Sequence, residues 1–599
     1  MRKVYFNEYN VPTENSIYLP FSSGLLQAYA QQFEEVRDNY IFQPFLFIRE
    51  TLDTAVERHK DPDVVCFSAS VWNYELSLAI AKKVKEKHPS AYIVFGGPNI
   101  PPGPQADATR FFETHPFIDL VIYGEGERIF TDALIDRLHN KEQHHVVVRH
   151  DEPARELDIF PSPYVEDVFE PIMSAHPDIE FKAIVETNRS CPFSCSFCFW
   201  GQSSFYPVKK MSYHSPEYIT KEAEWIGKNK IPYVFCADAN FGMFKRDVDI
   251  AHSYATVKSS YGYPEKFRVC YGKNATETIF ETATILSKAD LAKTVTLAIQ
   301  SSDEDALKAI RRSNIKKETF DSLQERYTKA GIPTYTELIL GLPGETKETF
   351  INGIQGILES VINNQIFIYH CQILPNTEMA DPDYIKGHGI ITVKIPLAEV
   401  HGSYRSDDLI QEFEENIIGT TSMPVEVWKE CAVVAWTVQL MHALKIGFDV
   451  ARWLVANHDI KYMDFYTFLA TSNMSTFKQF QELAEDITQG KARCQIDPKY
   501  GNIYYEPEEM AFLNVVLNKK KFYRELHAVL IKFFAEKGLP YDKKIKDVIN
   551  RQADQLPEPE NFRDTQELAR EVVLYGRKSN KLTTDILNRP DAPLIFPFS

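Results

Sequence analysis

Three cysteines within eight residues, Cys191, Cys195 and Cys198, constrain this chain more than any other feature. They stand in the run Cys-Pro-Phe-Ser-Cys-Ser-Phe-Cys, spaced Cys-x3-Cys-x2-Cys. Thiolates are the preferred ligands of iron–sulfur clusters, and a four-iron cluster held by three of them leaves one iron with an open position. An open iron can bind a substrate or cofactor. The competing use of such thiols is a tetrahedral zinc site, which wants four ligands, usually as two separated pairs. No second Cys or His pair follows at that spacing. On the residues alone a cluster, a zinc ion and three unrelated thiols all stay open.

At 599 residues the chain is too long for one core, and a prior of about 150 residues per domain divides it into roughly three or four. With 66 basic and 83 acidic residues its formal charge is −17. That balance disfavours nucleic acid and anionic lipid as partners. Nine cysteines, six of them dispersed, do not make a secreted disulfide framework. The start Met-Arg-Lys-Val-Tyr-Phe-Asn-Glu has an acid too early for a signal peptide. The longest apolar stretch, 431–448, carries Gln439, His442 and Lys445 and falls short of a clean span of about 20 residues. The reading is a cytoplasmic, monomeric protein of a low-oxygen cell, with no membrane partner.

Residues 1–150 alternate apolar β-branched runs with amphipathic stretches, the pattern of a doubly wound parallel sheet. Strands are expected at 64–70, 91–95 and 119–123, with a helix at 76–86. Small residues follow the strands: Ser68 and Ser70, then Gly96, Gly97, Pro98 and Asn99, then Gly124, Glu125, Gly126 and Glu127. Strand C-terminal ends are where a parallel sheet opens its ligand crevice, and glycine there lets a bulky ligand approach the backbone. Proline recurs at 153, 161, 163, 171 and 177, marking 151–180 as a linker. A second βα series has strands expected at 182–186, 233–237, 267–271, 295–300, 335–341 and 366–372, a partial (β/α)6 TIM-like barrel over 181–395 with its chemistry at the strands' C-terminal ends. The cysteine loop follows the first of them. Over 396–599 the rhythm stops, and helices are expected at 425–453, 476–485, 507–537 and 565–575. The fold class is α/β with a helical, substrate-binding C-terminal domain.

The cysteine spacing, with Phe197 before the last thiol, resembles the radical S-adenosylmethionine (SAM) superfamily. That resemblance implies a 4Fe-4S cluster on Cys191, Cys195 and Cys198, SAM on the open iron, and an external electron donor such as flavodoxin or ferredoxin. The upstream series of strands ending in Ser-x-Ser, Gly-Gly-Pro-Asn and Gly-Glu-Gly-Glu resembles the cobalamin-binding domain that precedes many such enzymes. No histidine stands in the loop Asn-Glu-Tyr-Asn-Val-Pro-Thr-Glu after the first strand, so cobalt is expected to lack a histidine on its lower face.

Further residues match the superfamily by position. Gln300, at a strand end, is expected near the SAM ribose, and Arg312, twelve residues on, near its carboxylate. Glu337 is expected near the ribose, Leu340 and Gly341 near the adenine, and Asp238 and Asn240 near the amino group. His370 and Cys371 end the last strand, where a thiol or imidazole could serve in proton or hydrogen transfer and packing is the favoured reading. The whole resembles the cobalamin-dependent radical SAM methyltransferases that modify peptides and other natural products. The resemblance implies methyl transfer from SAM through methylcobalamin to a carbon of a peptide or small-molecule substrate. A rearrangement or cyclisation with the same cofactors is the alternative, and a non-catalytic cobalamin or SAM sensor comes from another class. A tRNA methylthiotransferase is disfavoured because the N-terminal part carries only Cys66.

Overall fold

The computed structural model describes residues 1–13, 15–101, 106–149, 154–201, 211–272, 277–292, 294–360, 365–404 and 406–570. Glu14, Pro153 and the end of the expected helix 565–575 lie outside the described residues. The chain forms two compact units. The first combines Met1–Ala292 with Ile373–Tyr384 and Arg405–Glu414; the second takes Lys293–Gln372, Ile385–Tyr404 and the chain from Glu415 onward.

In the first unit a six-stranded sheet runs in the order Tyr40–Phe42, Arg2–Asn7, Val64–Ser68, Tyr92–Gly96, Leu120–Tyr123, Val146–Arg149, every pairing parallel. Its central strands are buried along their length, which is why they read as unbroken apolar runs rather than alternating ones. Tyr74–Lys87 packs Ile80, Ala81 and Val84 into the same core as Ile93, Phe95 and Val121. Strand order reverses between Arg2–Asn7 and Val64–Ser68, the place where a doubly wound sheet opens its crevice.

A second parallel sheet of this unit has the order Lys266–Tyr271, Tyr233–Phe241, Glu180–Val185, Ser16–Tyr18. Ser16–Tyr18 was not expected as a strand. Three residues carry too little pattern to declare themselves, and only the pairing of Ile17 beside Phe181 makes them one.

In the second unit Val295–Thr296, Thr334–Leu340 and Gln365–His370 pair in parallel. All six expected strands of the second series are therefore present, three in each unit. The fourth stops at Thr296 instead of residue 300, because the chain bends until Gln300 adopts a left-handed backbone at φ 56°.

The C-terminal part of the second unit is mainly helical, as expected, with different breaks. The stretch 425–453 divides into Val425–Val438, a π-helical turn Gln439–Ala443, and Phe448–Asn457. Left-handed Lys445 and then Gly447 turn the chain, and the two arms meet at 91°. Trp428, Trp436, Leu440 and Leu454 from these arms are fully buried in the unit's largest core. Among the described residues no single helix is long and apolar enough to cross a membrane. The stretch 507–537 breaks at Asn518 into Pro507–Leu517 and Lys519–Glu536.

Candidate active site

The cysteine loop leaves the C-terminal end of Glu180–Val185. Cys191 and Cys195 are buried and Cys198 is half-buried, with the Cys198 amide donating to the Cys195 carbonyl at 3.1 Å. Two backbone devices shape the loop. Ser190 takes a left-handed conformation at φ 83° just before the first thiol. Gly201 closes the loop so tightly that a β-carbon there would collide with the Phe193 carbonyl. Among the described residues no three His, Cys, Asp or Glu side chains are gathered closely enough for a single metal ion. The ligands of a cubane sit on different irons and stand further apart than those of one ion.

Asn240, at the end of Tyr233–Phe241, donates from Nδ2 to the Cys191 sulfur at 3.0 Å. Its Oδ1 is buried and has no hydrogen-bond partner among the described residues. Asp238, two residues earlier, has a different setting. Its carboxylate accepts from the Thr187 amide at 2.7 Å, the Thr187 hydroxyl at 2.5 Å, the Asn188 amide at 3.2 Å and the Asn188 side chain at 2.7 Å. Burial pushes this carboxyl up to about 6, against the pull of those donors. Asp238 thus clamps the backbone leading into the cysteine loop.

Arg189, two residues before Cys191, was missed by sequence reasoning. It is buried and meets three carboxylates: Glu186 at 2.5 Å, Glu127 at 2.6 Å and Glu125 at 3.4 Å. Burial opposes its charge, but these carboxylates outweigh that and keep it protonated. Glu125 also accepts from the Ala154 amide at 2.8 Å. The two glutamates expected at the cobalamin crevice therefore turn their carboxylates to the segment preceding the cluster loop.

The other strand ends of the first sheet lie as expected. Ser68 and Gly96 face each other in register. The Ser70 amide donates to Asn73 at 2.8 Å, and Asn73 donates to the Tyr9 carbonyl at 3.0 Å across the switch point. Gly97, at φ 103°, lies so close to Ala69 that a β-carbon would come within 2.5 Å of its carbonyl oxygen, while the Asn99 amide bonds to that oxygen at 3.1 Å. Gly124 is also left-handed, and Gly126 precedes the helix Glu127–Leu138. Asn376, also missed, donates to the carbonyls of Pro98 at 2.8 Å and Ile100 at 2.6 Å.

In the second unit, Gln300 is buried with Oε1 unpartnered among the described residues, and its backbone carbonyl accepts from Ile339 at 2.8 Å. Glu337 is half-buried on the neighbouring strand. Arg312 donates to the Ala298 carbonyl at 2.6 Å and to Asn314 at 3.0 Å, and lines a cavity of about 750 Å³. Leu340 is buried, and Gly341 sits at φ 93° near the Trp428 indole. His370 stacks on Trp436, centroids 5.4 Å apart. Burial drops its imidazole to about 3 and lifts the Cys371 thiol to about 12. Both ring nitrogens of His370 are buried without a hydrogen-bond partner among the described residues.

The donor set suits the groups that the sequence implies. Three thiols without a carboxylate suit an iron–sulfur cluster. The orphaned amide oxygens of Asn240 and Gln300 each call for an N–H or O–H donor, which an amino group and a ribose hydroxyl supply.

Comparison with known proteins agrees. Residues 185–355 match the radical SAM superfamily and residues 26–134 the B12 binding domain. The 2-(S-pantetheinyl)-carbapenam-3-carboxylate methyltransferase of Streptantibioticus cattleyicolor is 36% identical over 481 residues, covering 78% of this chain and 69% of the relative. The cobalamin-dependent radical SAM methyltransferase TokK of Streptomyces tokunonensis is 36% identical over 485 residues with the same coverage. In fold, the chain resembles TsrM from Kitasatospora setae, solved with tryptophan substrate and a SAM analog, at a TM-score of 0.52 and 13% identity, over 81% of this chain and 99% of that one. The cofactors are accordingly a 4Fe-4S cluster, SAM and cobalamin, and the reaction needs a substrate and a reductant. The chain belongs to the cobalamin-dependent radical SAM methyltransferases.

Proposed function

We propose that this chain methylates a carbon of a small natural-product molecule rather than a ribosomally made peptide. The observation that carries this reading is the 36% identity over 481 residues to a methyltransferase named for a carbapenam carboxylate. An unactivated carbon is no nucleophile, so a methyl group cannot be passed to it from SAM by simple displacement. When bound, the three cofactors supply an electron, a means of hydrogen abstraction and a methyl carrier.

The chain's own residues have holding roles in this reading. Cys191, Cys195 and Cys198 hold three irons, with Phe197 beside them. Asn240 accepts from the SAM amino group through its orphaned oxygen, while Asp238 keeps the loop in place. Gln300 and Glu337 accept from the ribose hydroxyls, Arg312 meets the carboxylate, and Leu340 and Gly341 flank the adenine. Ser68, Ser70, the Gly96 to Asn99 turn and the Gly124 to Glu127 turn line the corrin. The electron comes from a flavodoxin or ferredoxin, and the protein acts as a monomer in the cytoplasm.

The test is anaerobic reconstitution followed by incubation with methyl-labelled SAM and either a carbapenam carboxylate or a mixture of unmodified ribosomally made peptides. The carbapenam is expected to gain one labelled methyl group. A methylated peptide, or a carbapenam rearranged without mass gain, overturns the reading.

A further inference from the structure

Two sets of contacts in the first unit tie the cysteine loop to the loops at the cobalamin end of the sheet. The first is the buried guanidinium of Arg189, whose carboxylate partners Glu125 and Glu127 come from the turn after Leu120–Tyr123. A buried ion pair is costly to desolvate and is repaid only by good geometry and added hydrogen bonds. Arg189 has both: Nη2 reaches Glu127 at 2.6 Å, and Nε reaches Glu186 at 2.8 Å. Its face also lies 5.1 Å from the Phe160 ring.

The second set runs through the segment Ile373–Tyr384, which follows the strand Gln365–His370 in sequence but packs with the first unit. Near its start Asn376, left-handed at φ 64°, donates to the Pro98 and Ile100 carbonyls. A few residues on, the Met379 amide donates at 2.9 Å to the Ser196 carbonyl, between Cys195 and Cys198. The Tyr384 hydroxyl meets the Ser196 hydroxyl at 3.2 Å. One short segment therefore bonds to the Gly-Gly-Pro-Asn turn at one end and to the cysteine loop at the other.

We infer that Arg189 and Asn376 are positioning residues that fix the spacing between the cluster and the corrin. The inference rests on the assignment of both cofactors to these loops. Nothing in the chemistry of either cofactor alone calls for such bracing. Passing a methyl group to a short-lived carbon radical does call for it, because misplacement by about 1 Å can cost a factor of about 100 in rate.

The test reads geometry without needing the substrate. Holoenzyme is prepared with the cluster reduced and the corrin as cob(II)alamin, both paramagnetic, and pulsed dipolar EPR measures the distance distribution between them. Arg189→Gln leaves buried carboxylates without their cation, so Asn376→Ala, which removes two hydrogen bonds from a half-buried side chain and leaves alanine in a left-handed backbone, is measured beside it. Both variants are expected to retain iron and corrin and to widen the distribution at least twofold, while Arg189→Lys widens it less than Arg189→Gln. A distribution in Asn376→Ala and Arg189→Gln as narrow as in the wild type, at full cofactor content, overturns the inference and leaves the cofactor assignment standing. Wild-type protein that binds no corrin or no cluster overturns the assignment itself, and the inference with it.

Discussion

The Asn240 carboxamide donates to the Cys191 sulfur at 3.0 Å, across 49 residues of chain. Hydrogen bonds to cluster sulfurs help set reduction potential, because a donor stabilises the more negative, reduced state. A net hydrogen bond is worth about 1 kcal/mol, which for one electron is on the order of 40 mV. Asn240→Leu should therefore lower the cluster midpoint potential by about that much. A redox titration followed by EPR checks it, and an unchanged potential at full iron content contradicts it.

Gly201 has no room for a side chain, because a β-carbon would meet the Phe193 carbonyl and lie 3.6 Å from the β-carbon of Cys191. Gly201→Ala must move the backbone that presents the first thiol. We expect reconstituted Gly201→Ala protein to hold less than half the wild-type iron and sulfide while keeping its far-UV circular dichroism. Normal iron loading would mean that the loop yields elsewhere.

These two contacts mark the boundary of what the sequence makes legible. The strands at 64–68, 92–96 and 120–123 declare themselves because burial on both faces leaves only apolar runs, and the cysteine loop because three thiols in eight residues have few other uses. Asp238 and Glu125 are harder. A carboxylate at a strand end has the same local pattern whether it faces a ligand or, as Asp238 does, the Thr187 and Asn188 donors. Arg189 is illegible because two of its three carboxylate partners, Glu125 and Glu127, lie more than 60 residues upstream, and Asn376 because its partners are backbone carbonyls nearly 280 residues away. Nor does 425–453 announce its bend, since apolar residues continue through the turn at Gln439–Ala443.

Gln300 holds a left-handed backbone that costs a non-glycine residue roughly 1–2 kcal/mol, and it buries an unpartnered amide oxygen. Strain kept together with an unmet acceptor is expected where a ligand provides the compensation. Gln300→Gly should leave the apo protein at least as stable in thermal unfolding and weaken SAM binding about tenfold by calorimetry. Equal SAM affinity would remove Gln300 from the binding site.

Glu222 gives a prediction about pH. Its carboxyl is buried and accepts from the Ser162 hydroxyl at 2.6 Å, and burial lifts it from 4.5 to about 8. The folded protein thus keeps Glu222 protonated through a range in which the unfolded chain ionises it. A folded pKa above the unfolded value gives stability that is complete below about pH 4.5 and lost as pH rises through about 8, at roughly 1.4 kcal/mol per pH unit within that window. Glu222→Gln retains an uncharged side chain of the same shape and has no proton to lose. Its unfolding midpoint relative to wild type should therefore rise steadily between pH 5 and pH 8 and level off above. A difference between the two proteins that stays constant from pH 5 to pH 9 would show that Glu222 is already ionised in the fold.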